Sequence, residues 1–353
     1  MSSPHPEDEL VFGSVGIRRD RARHRAVRAP SRRLRPKAKE ASARNNNEYL
    51  FLTNEKEKTV TSHSVSISAG NIKLSGRFIP ATNGQPRALL VALHGGANSS
   101  KYFDTAPPSL LEFCASLGYS ILALDRPGYG AATSVPLDQL SFDGQVPILR
   151  QALEEIWDTY GQQSAGMFLI GHSIGGMISL LLAAEHPHER LLGLNMTGSG
   201  AILHAQTKAA FATLVSDAPA VVFDPAGKVA VSFGPPWSYP EELAQQDPER
   251  DVPCPMPEFA DAQTWEERLP RVAASVRVPV RFIVAEYDGI WRADPEALSH
   301  VAAMFTAAPF VDVGMQRMMG HSTELHTLAR AFYMKIFAFV EECIVYRFSQ
   351  SSV

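Results

Sequence analysis

A serine hydroxyl is a weak nucleophile until the backbone lifts it clear of its neighbours and a base can take its proton. Ser173 meets the first condition. It is the central residue of Gly171-His172-Ser173-Ile174-Gly175, with an apolar run at 167–170 before it and an apolar stretch at 174–186 after it, closed by Pro187. The run reads as a buried strand and the stretch as a helix. A Gly-x-Ser-x-Gly turn between the two is the strained elbow that exposes a nucleophile. Glycine suits positions 171 and 175 because a Cβ there would collide with the neighbouring strand or helix. Such a serine attacks carbonyl carbon. It then needs a base, an acid that holds the base's tautomer, and donors for the developing oxyanion.

Each part has a candidate at the end of a strand, where a parallel sheet presents its ligands. The apolar run 87–93 ends in His94-Gly95-Gly96-Ala97, a loop whose backbone can approach a substrate closely. Strand 280–285 is followed by Glu286-Tyr287-Asp288, which offers two carboxylates. Strand 310–313 leads through a loop to Gly320-His321. Of the eleven histidines, His172 reads as structural, with its ring directed away from the serine. His300 and His326 fall within predicted helices, whereas His321 stands in a glycine-flanked loop. His94 reads as packing beneath its loop, and Asp125 as a hydrogen-bonding turn residue.

The elements that must position these residues alternate along the chain. Strands at 59–68 and 72–79 form a hairpin around Gly70-Asn71. There follow strand 87–93, helix 109–117, strand 120–124, helix 146–160, the elbow strand and its helix, and strand 191–196. Strand 280–285, helix 295–305, strand 310–313 and helix 323–343 complete the series. This is an α/β pattern, a mostly parallel sheet with helices on both faces. Residues 199–275 break the rhythm with proline-rich segments and short helical pieces at 206–215 and 241–246. An interval of that length between two sheet strands reads as a cap or lid. The expected domains are therefore a tail at 1–57, a core at 58–198 and 276–353, and a cap at 199–275.

Over about residues 60–345 the chain resembles the α/β-hydrolase superfamily. The resemblance rests on the elbow, on Leu93-His94-Gly95-Gly96-Ala97 as an oxyanion loop, and on Asp125-Arg126-Pro127-Gly128-Tyr129-Gly130 after the next strand. It implies an α/β-hydrolase fold and the order nucleophile, acid, histidine, hence Ser173, Asp288 and His321, with Asp288 favoured over Glu286. It also implies an oxyanion hole from the N–H groups of Ile174 and Gly96, with Gly95 and Ala97 as alternatives to Gly96. The expected function is a serine hydrolase that cleaves a small-molecule carboxylic ester or thioester through an acyl-enzyme, and the overall look resembles small-molecule hydrolases of microbial specialised metabolism more than lipases or peptidases. Carbon–carbon bond hydrolysis, acyl transfer or cyclisation by the same triad, and a non-catalytic receptor of the same fold, are the alternatives. Gly95, Trp237 and Tyr239 are the candidate substrate contacts. The cap aromatics Phe233, Trp237, Tyr239, Phe259 and Trp265 either line the substrate pocket or form the cap's own core.

Composition narrows the partners. The 353 residues carry a net charge of −4, but residues 1–47 hold 12 Lys/Arg against 5 Asp/Glu. That stretch has too little apolar surface to offset its ordering entropy, so it is expected to be a disordered, solvated tail. No run of eighteen apolar residues and no signal-peptide stretch occurs, and three scattered cysteines point to reduced thiols, so a cytoplasmic setting is expected. No phosphate loop, metal cluster or nicotinamide fingerprint is present, so neither cofactor nor metal is expected, and no nucleic-acid partner.

Overall fold

A computed structural model describes residues 61–82, 84–106, 108–185 and 187–351, and the expected tail at 1–57 lies outside them. The hairpin is formed by β1 (His63–Ala69) and β2 (Ile72–Ile79), whose closing pair Ala69↔Ile72 brackets Gly70-Asn71 with Gly70 at φ +60°. Then come β3 (Leu89–Leu93), α1 (Leu110–Ser116), β4 (Ser120–Leu124), α2 (Phe142–Ile156), β5 (Met167–His172), α3 (Ile174–Glu185) and β6 (Leu191–Thr197). Capping fixes where α1 begins. The Ser109 hydroxyl accepts the Glu112 N–H while the Glu112 carboxylate accepts the Ser109 N–H.

Between β6 and the next sheet strand lie α4 (Ala205–Ala212), β7 (Ala220–Val221), α5 (Pro225–Ser232), α6 (Glu241–Ala244), β8 (Cys254–Pro255), α7 (Met256–Gln263) and α8 (Trp265–Ala273). Strands β7 and β8 pair only with each other. Helix α8 packs on α3, and its Trp265, Leu269 and Val272 are buried in the core. The sheet resumes with β9 (Val280–Tyr287), followed by α9 (Pro295–Met304), β10 (Val311–Gly320) and α10 (Ala329–Ser351).

The eight-stranded sheet has the order β1-β2-β4-β3-β5-β6-β9-β10, with antiparallel pairing only at β1/β2 and β2/β4. Burial on both faces explains why the central strands read as continuous apolar runs. Leu89, Val91 and Leu93 enter one core with α2 and α3, while Leu90 and Ala92 enter the other with α1 and α10. Strand order reverses at β3, which has β4 on one side and β5 on the other. Ligands of open α/β sheets bind at the carboxyl ends on either side of such a point.

Two of the boundaries that differ from the sequence reading bear on the site. Strand β10 continues to Gly320 through an irregularity after Gln316, where Met318 takes φ +60°. The last helix begins at Ala329, so His326 precedes it rather than lying within it.

Candidate active site

The register Leu93↔Gly171 ends β3 and β5 flush, which sets the two glycine loops side by side. Ser173 has φ +51°, a left-handed conformation that costs a side-chain-bearing residue about 1–3 kcal/mol and survives only where the surroundings enforce it. They do. A Cβ on Gly175 would lie 2.1 Å from the Leu93 carbonyl oxygen, and one on Gly171 would lie 2.5 Å from the Gly176 Cα. The Ser173 N–H donates to the Thr197 carbonyl at 2.7 Å, and its own carbonyl accepts the Ser199 hydroxyl at 3.0 Å. The elbow is thus tied to β6 as well as β3.

Asp288 and His321 meet across the ends of β9 and β10. His321 Nδ1 lies 3.0 Å from Asp288 Oδ2 and 3.1 Å from Oδ1, and both side chains are buried. Asp288 Oδ1 also accepts the N–H groups of Ile290 and Trp291 at 2.9 and 3.1 Å, which fixes the carboxylate before the histidine reaches it. Glu286 serves the backbone instead. Its Oε2 accepts the Met318 N–H at 2.7 Å and so holds the irregularity in β10 that delivers His321.

Behind His321 lies a polar layer. His172 has its ring edge against that of His321 at 5.0 Å and stacks on Tyr102 at 4.6 Å. The Tyr102 hydroxyl donates to buried Glu324 at 2.6 Å. Burial, then the neighbouring His321, holds His172 well below the usual histidine range. The ring is therefore a neutral support for His321. His326 accepts the Gly320 N–H at 2.8 Å through Nε2 and also contacts the Ser322 carbonyl, which locks the turn on either side of His321.

Three positions were open for the oxyanion donor on the glycine loop. The Ala97 N–H is taken by the Tyr129 hydroxyl at 3.4 Å, whereas no protein acceptor engages the N–H of Gly96 or Ile174 among the described residues. Gly96, Ile174, Ser173 and His321 all line one cavity of about 80 Å³. Gly95 sits underneath: a Cβ there would lie 3.0 Å from the Ser173 Cβ. It supports the elbow and does not line the cavity.

The far wall of the cavity is apolar and comes from residues 199–264. Phe211 of α4, Phe223 and Phe259 of α7 form a cluster with ring separations of 5.7–6.1 Å, joined by Ile290 and Trp291 from the loop after Asp288. Trp237 and Tyr239 are not part of it, which corrects the sequence reading. Trp237 is 62% exposed and meets the Tyr287 ring edge-on, while Tyr239 packs on Phe233 and His326 on the other side of the β10 turn. The proline-rich segment that carries them forms a short helical turn at Pro236–Ser238. Trp265 belongs to the core against Phe142. Phe211, Phe223 and Trp291 escaped the sequence reading because neither spacing nor a motif links them, although Trp291 stands only three residues beyond Asp288.

A second chamber of about 190 Å³ adjoins the first and shares Ala97, Asn98, Phe223, Lys228 and Ser322 with it. It is the more polar of the two, with Gln246, Arg250 and Asp251 in its wall. Lys228 stands between the chambers. Its ammonium donates to the Ala97 carbonyl at 3.0 Å and to Asp251 at 2.7 Å, and burial lowers its pKa. Among the described residues no group of His, Cys, Asp or Glu is placed to hold a metal ion, and no helix is long and apolar enough to cross a membrane.

Strand order, elbow and the acid–histidine pair at successive strand ends define the architecture of an α/β-hydrolase. A profile of the serine aminopeptidase, S33 family matches residues 84–313, and the chain belongs to that family. Among curated relatives, a "Probable serine hydrolase" of Drosophila melanogaster is 31% identical over 117 residues, 32% of this chain and 32% of that protein. The monoglyceride lipase of Mus musculus is 30% identical over 105 residues, 30% of this chain and 33% of its own length. The chain thus matches about a third of the length of these relatives. Among solved structures, a soluble variant of monoglyceride lipase from Saccharomyces cerevisiae in complex with a substrate analog aligns at TM-score 0.62. It is 17% identical, covering 82% of this chain and 98% of that one. A complex of DcsB with its substrate analogue aligns at 0.61, also at 17% identity, over 81% of this chain and all of the other. At that identity the likeness is one of fold.

Proposed function

We propose that this chain is a serine esterase for a small carboxylic ester with an apolar acyl group, working through an acyl-enzyme. The observation that carries the reading is the convergence of a strained Ser173 and an Asp288-held His321 on one cavity with the N–H groups of Gly96 and Ile174. His321 Nε2 removes the Ser173 proton as Oγ bonds to the ester carbonyl carbon. Asp288 holds the Nδ1–H and stabilises the imidazolium, and the two N–H groups receive the oxyanion. Collapse of the tetrahedral species breaks the acyl–oxygen bond, and the imidazolium protonates the departing alkoxide. A water deprotonated by His321 then attacks the acyl-enzyme, and the acid leaves as Ser173 regains its proton.

The two chambers support a division of the substrate. The acyl group lies against Phe211, Phe223 and Phe259, and the more polar alcohol lies toward Asn98, Lys228 and Gln246. That division agrees with an ester of the monoglyceride kind, the substrate class in the names of several relatives. Within the expected cap at 199–275, residues 199–264 act as the cover that excludes water and shapes the acyl site, while α8 packs into the core. Active-site titration tests the reading. A fluorophosphonate is expected to label wild-type protein stoichiometrically on the peptide that contains Ser173 and to leave Ser173→Ala unlabelled. p-Nitrophenyl esters of increasing chain length are expected to give an optimum above acetate. Wild-type protein that neither labels nor hydrolyses any ester of the series overturns it.

A further inference from the structure

Arg126 and Glu258 are 132 residues apart, and neither side chain has any exposure to solvent. A pair of opposite charges in such a place is not a strong source of stability, because apolar residues of similar volume often serve as well. Where the guanidinium's other donors go is more informative. Nε donates to the His94 carbonyl at 2.9 Å, Nη2 to the Gly95 carbonyl at 3.3 Å, and Nη1 to Gln145 at 2.9 Å. His94 accepts the Arg126 N–H through Nε2, so its Nδ1–H is the one that meets the Gly95 oxygen at 2.8 Å. Burial and the adjacent Arg126 keep that ring neutral.

The Gly95 carbonyl and the Gly96 N–H belong to one planar trans peptide, so the direction of the first sets the direction of the second. Two consecutive glycines would otherwise leave that plane free to rotate. Glu258 in turn aims the guanidinium. Its Oε1 lies 3.1 Å from Arg126 Nη2, its Oε2 accepts Gln145 Nε2 at 2.7 Å, and it accepts the hydroxyl of Tyr129. That same hydroxyl accepts the Ala97 N–H. Glu258 stands on α7, whose Phe259 lines the apolar chamber. The preceding segment docks on the loop as well, through the bridge Asn98↔Asp251 and the Val252 N–H to the Ala97 carbonyl.

We infer that Arg126 and Glu258 are positioning residues for the oxyanion hole: the cap, through Glu258, aims Arg126 at the Gly95 carbonyl and so points the Gly96 N–H at the reacting carbonyl. The inference rests on the esterase reading given above. Misplacing a reactive group by about 1 Å can slow a reaction by as much as a hundredfold, which makes the coupling measurable.

The test is the double variant Arg126→Met/Glu258→Leu, which removes both charges together and leaves no buried charge unpaired. The fluorophosphonate labelling rate and kcat are expected to fall at least tenfold, with KM within threefold of wild type and the pH profile unmoved. Affinity for an alkylboronic acid, whose tetrahedral adduct places an oxygen in the hole, is expected to fall by a similar factor, while affinity for the carboxylate product stays level. A double variant that melts cooperatively and keeps wild-type kcat and boronate affinity overturns the inference. If it does not fold, Tyr129→Phe decides: a threefold to tenfold loss in kcat at constant KM supports the inference, and an unchanged kcat overturns it. Wild-type protein that does not label at Ser173 removes the esterase reading and this inference with it. Wild-type labelling together with unslowed variants removes this inference alone.

Discussion

Two walls meet over Ser173, and they are held by different means. The wall built from the strand ends places Ser173, Asp288 and His321 by backbone register, a left-handed elbow and hydrogen bonds between neighbours in sequence or in the sheet. The wall built from residues 199–264 has no sheet register to follow beyond the short β7/β8 pair. It is placed by side-chain packing of Phe211, Phe223 and Phe259, by polar ties to the loop after β3, and by backbone hydrogen bonds to the turns that carry Asp288 and His321, among them Gly289 N–H to the Val231 carbonyl at 3.1 Å and Ser322 N–H to the Ser232 carbonyl at 2.9 Å. A wall set by backbone tolerates almost no change in its reacting groups. Between those anchor points, the packed aromatic part of the second wall can change shape while the chemistry behind it stays in place.

That contrast can be broken most directly at the nucleophile. Ser173→Ala is expected to lower ester turnover by about four orders of magnitude or more, with thermal stability close to wild type, because alanine keeps the left-handed backbone and the hydroxyl contributes little packing. Turnover in a stopped-flow or overnight assay within tenfold of wild type would show that the strand-end wall does not carry the reaction. Next in size is the pair of carboxylates. Asp288→Asn is expected to reduce kcat by a factor of hundreds to about ten thousand, since an amide cannot hold the Nδ1–H tautomer or stabilise imidazolium. Glu286→Gln keeps an acceptor for the Met318 N–H and is expected to stay within threefold. A reversal of these two effects assigns the acid to Glu286.

The cap side is expected to give smaller changes of another kind. Phe259→Ala enlarges the apolar chamber and is expected to shift the preferred ester chain length upward, with about a tenfold change in relative kcat/KM along the series. Trp237→Ala, on an exposed ring outside the cavity, is expected to leave that preference within twofold. Equal shifts from both would mean that the cap closes differently in solution. The smallest expected effect is on stability against pH. His94, His172 and His326 all have pKa values lowered by burial, so the unfolded chain binds more protons than the folded one once pH drops below about 6.5. Their contribution is complete above that pH and is lost as pH falls from it toward their folded values. Melting temperature is expected to decline by several degrees between pH 7 and 5, and a flat profile across that range would count against three buried neutral rings.

How far these features can be read in the sequence follows the same division. Gly171, Ser173 and Gly175 announce the elbow because the turn needs those residue types at that spacing. Gly95-Gly96 and Asp288 stand where apolar runs end, and the strand–helix alternation gives the sheet. His321 could be named, but not its delivery: the extension of β10 through Met318 depends on Glu286, a contact across two strands that no local pattern encodes. Trp237 and Tyr239 were plausible as pocket residues because aromatic side chains favour binding sites. Their placement depends on the fold of Pro235, Pro236 and Pro240, which leaves Trp237 exposed and packs Tyr239 on Phe233 and His326 away from the cavity. Arg126 sits in the loop after β4 and Glu258 on α7, and nothing in either segment signals the other.

The turn after β9 has a practical consequence. Asp288 is anchored by the N–H groups of Ile290 and Trp291, and the side chains of those two residues line the apolar chamber. Engineering a broader substrate range at Trp291 would therefore disturb the acid's anchorage as the pocket is widened, so scope and speed are expected to trade against each other there. Libraries confined to Phe211 and Phe223 carry no such linkage. They are the positions from which selectivity can be evolved first.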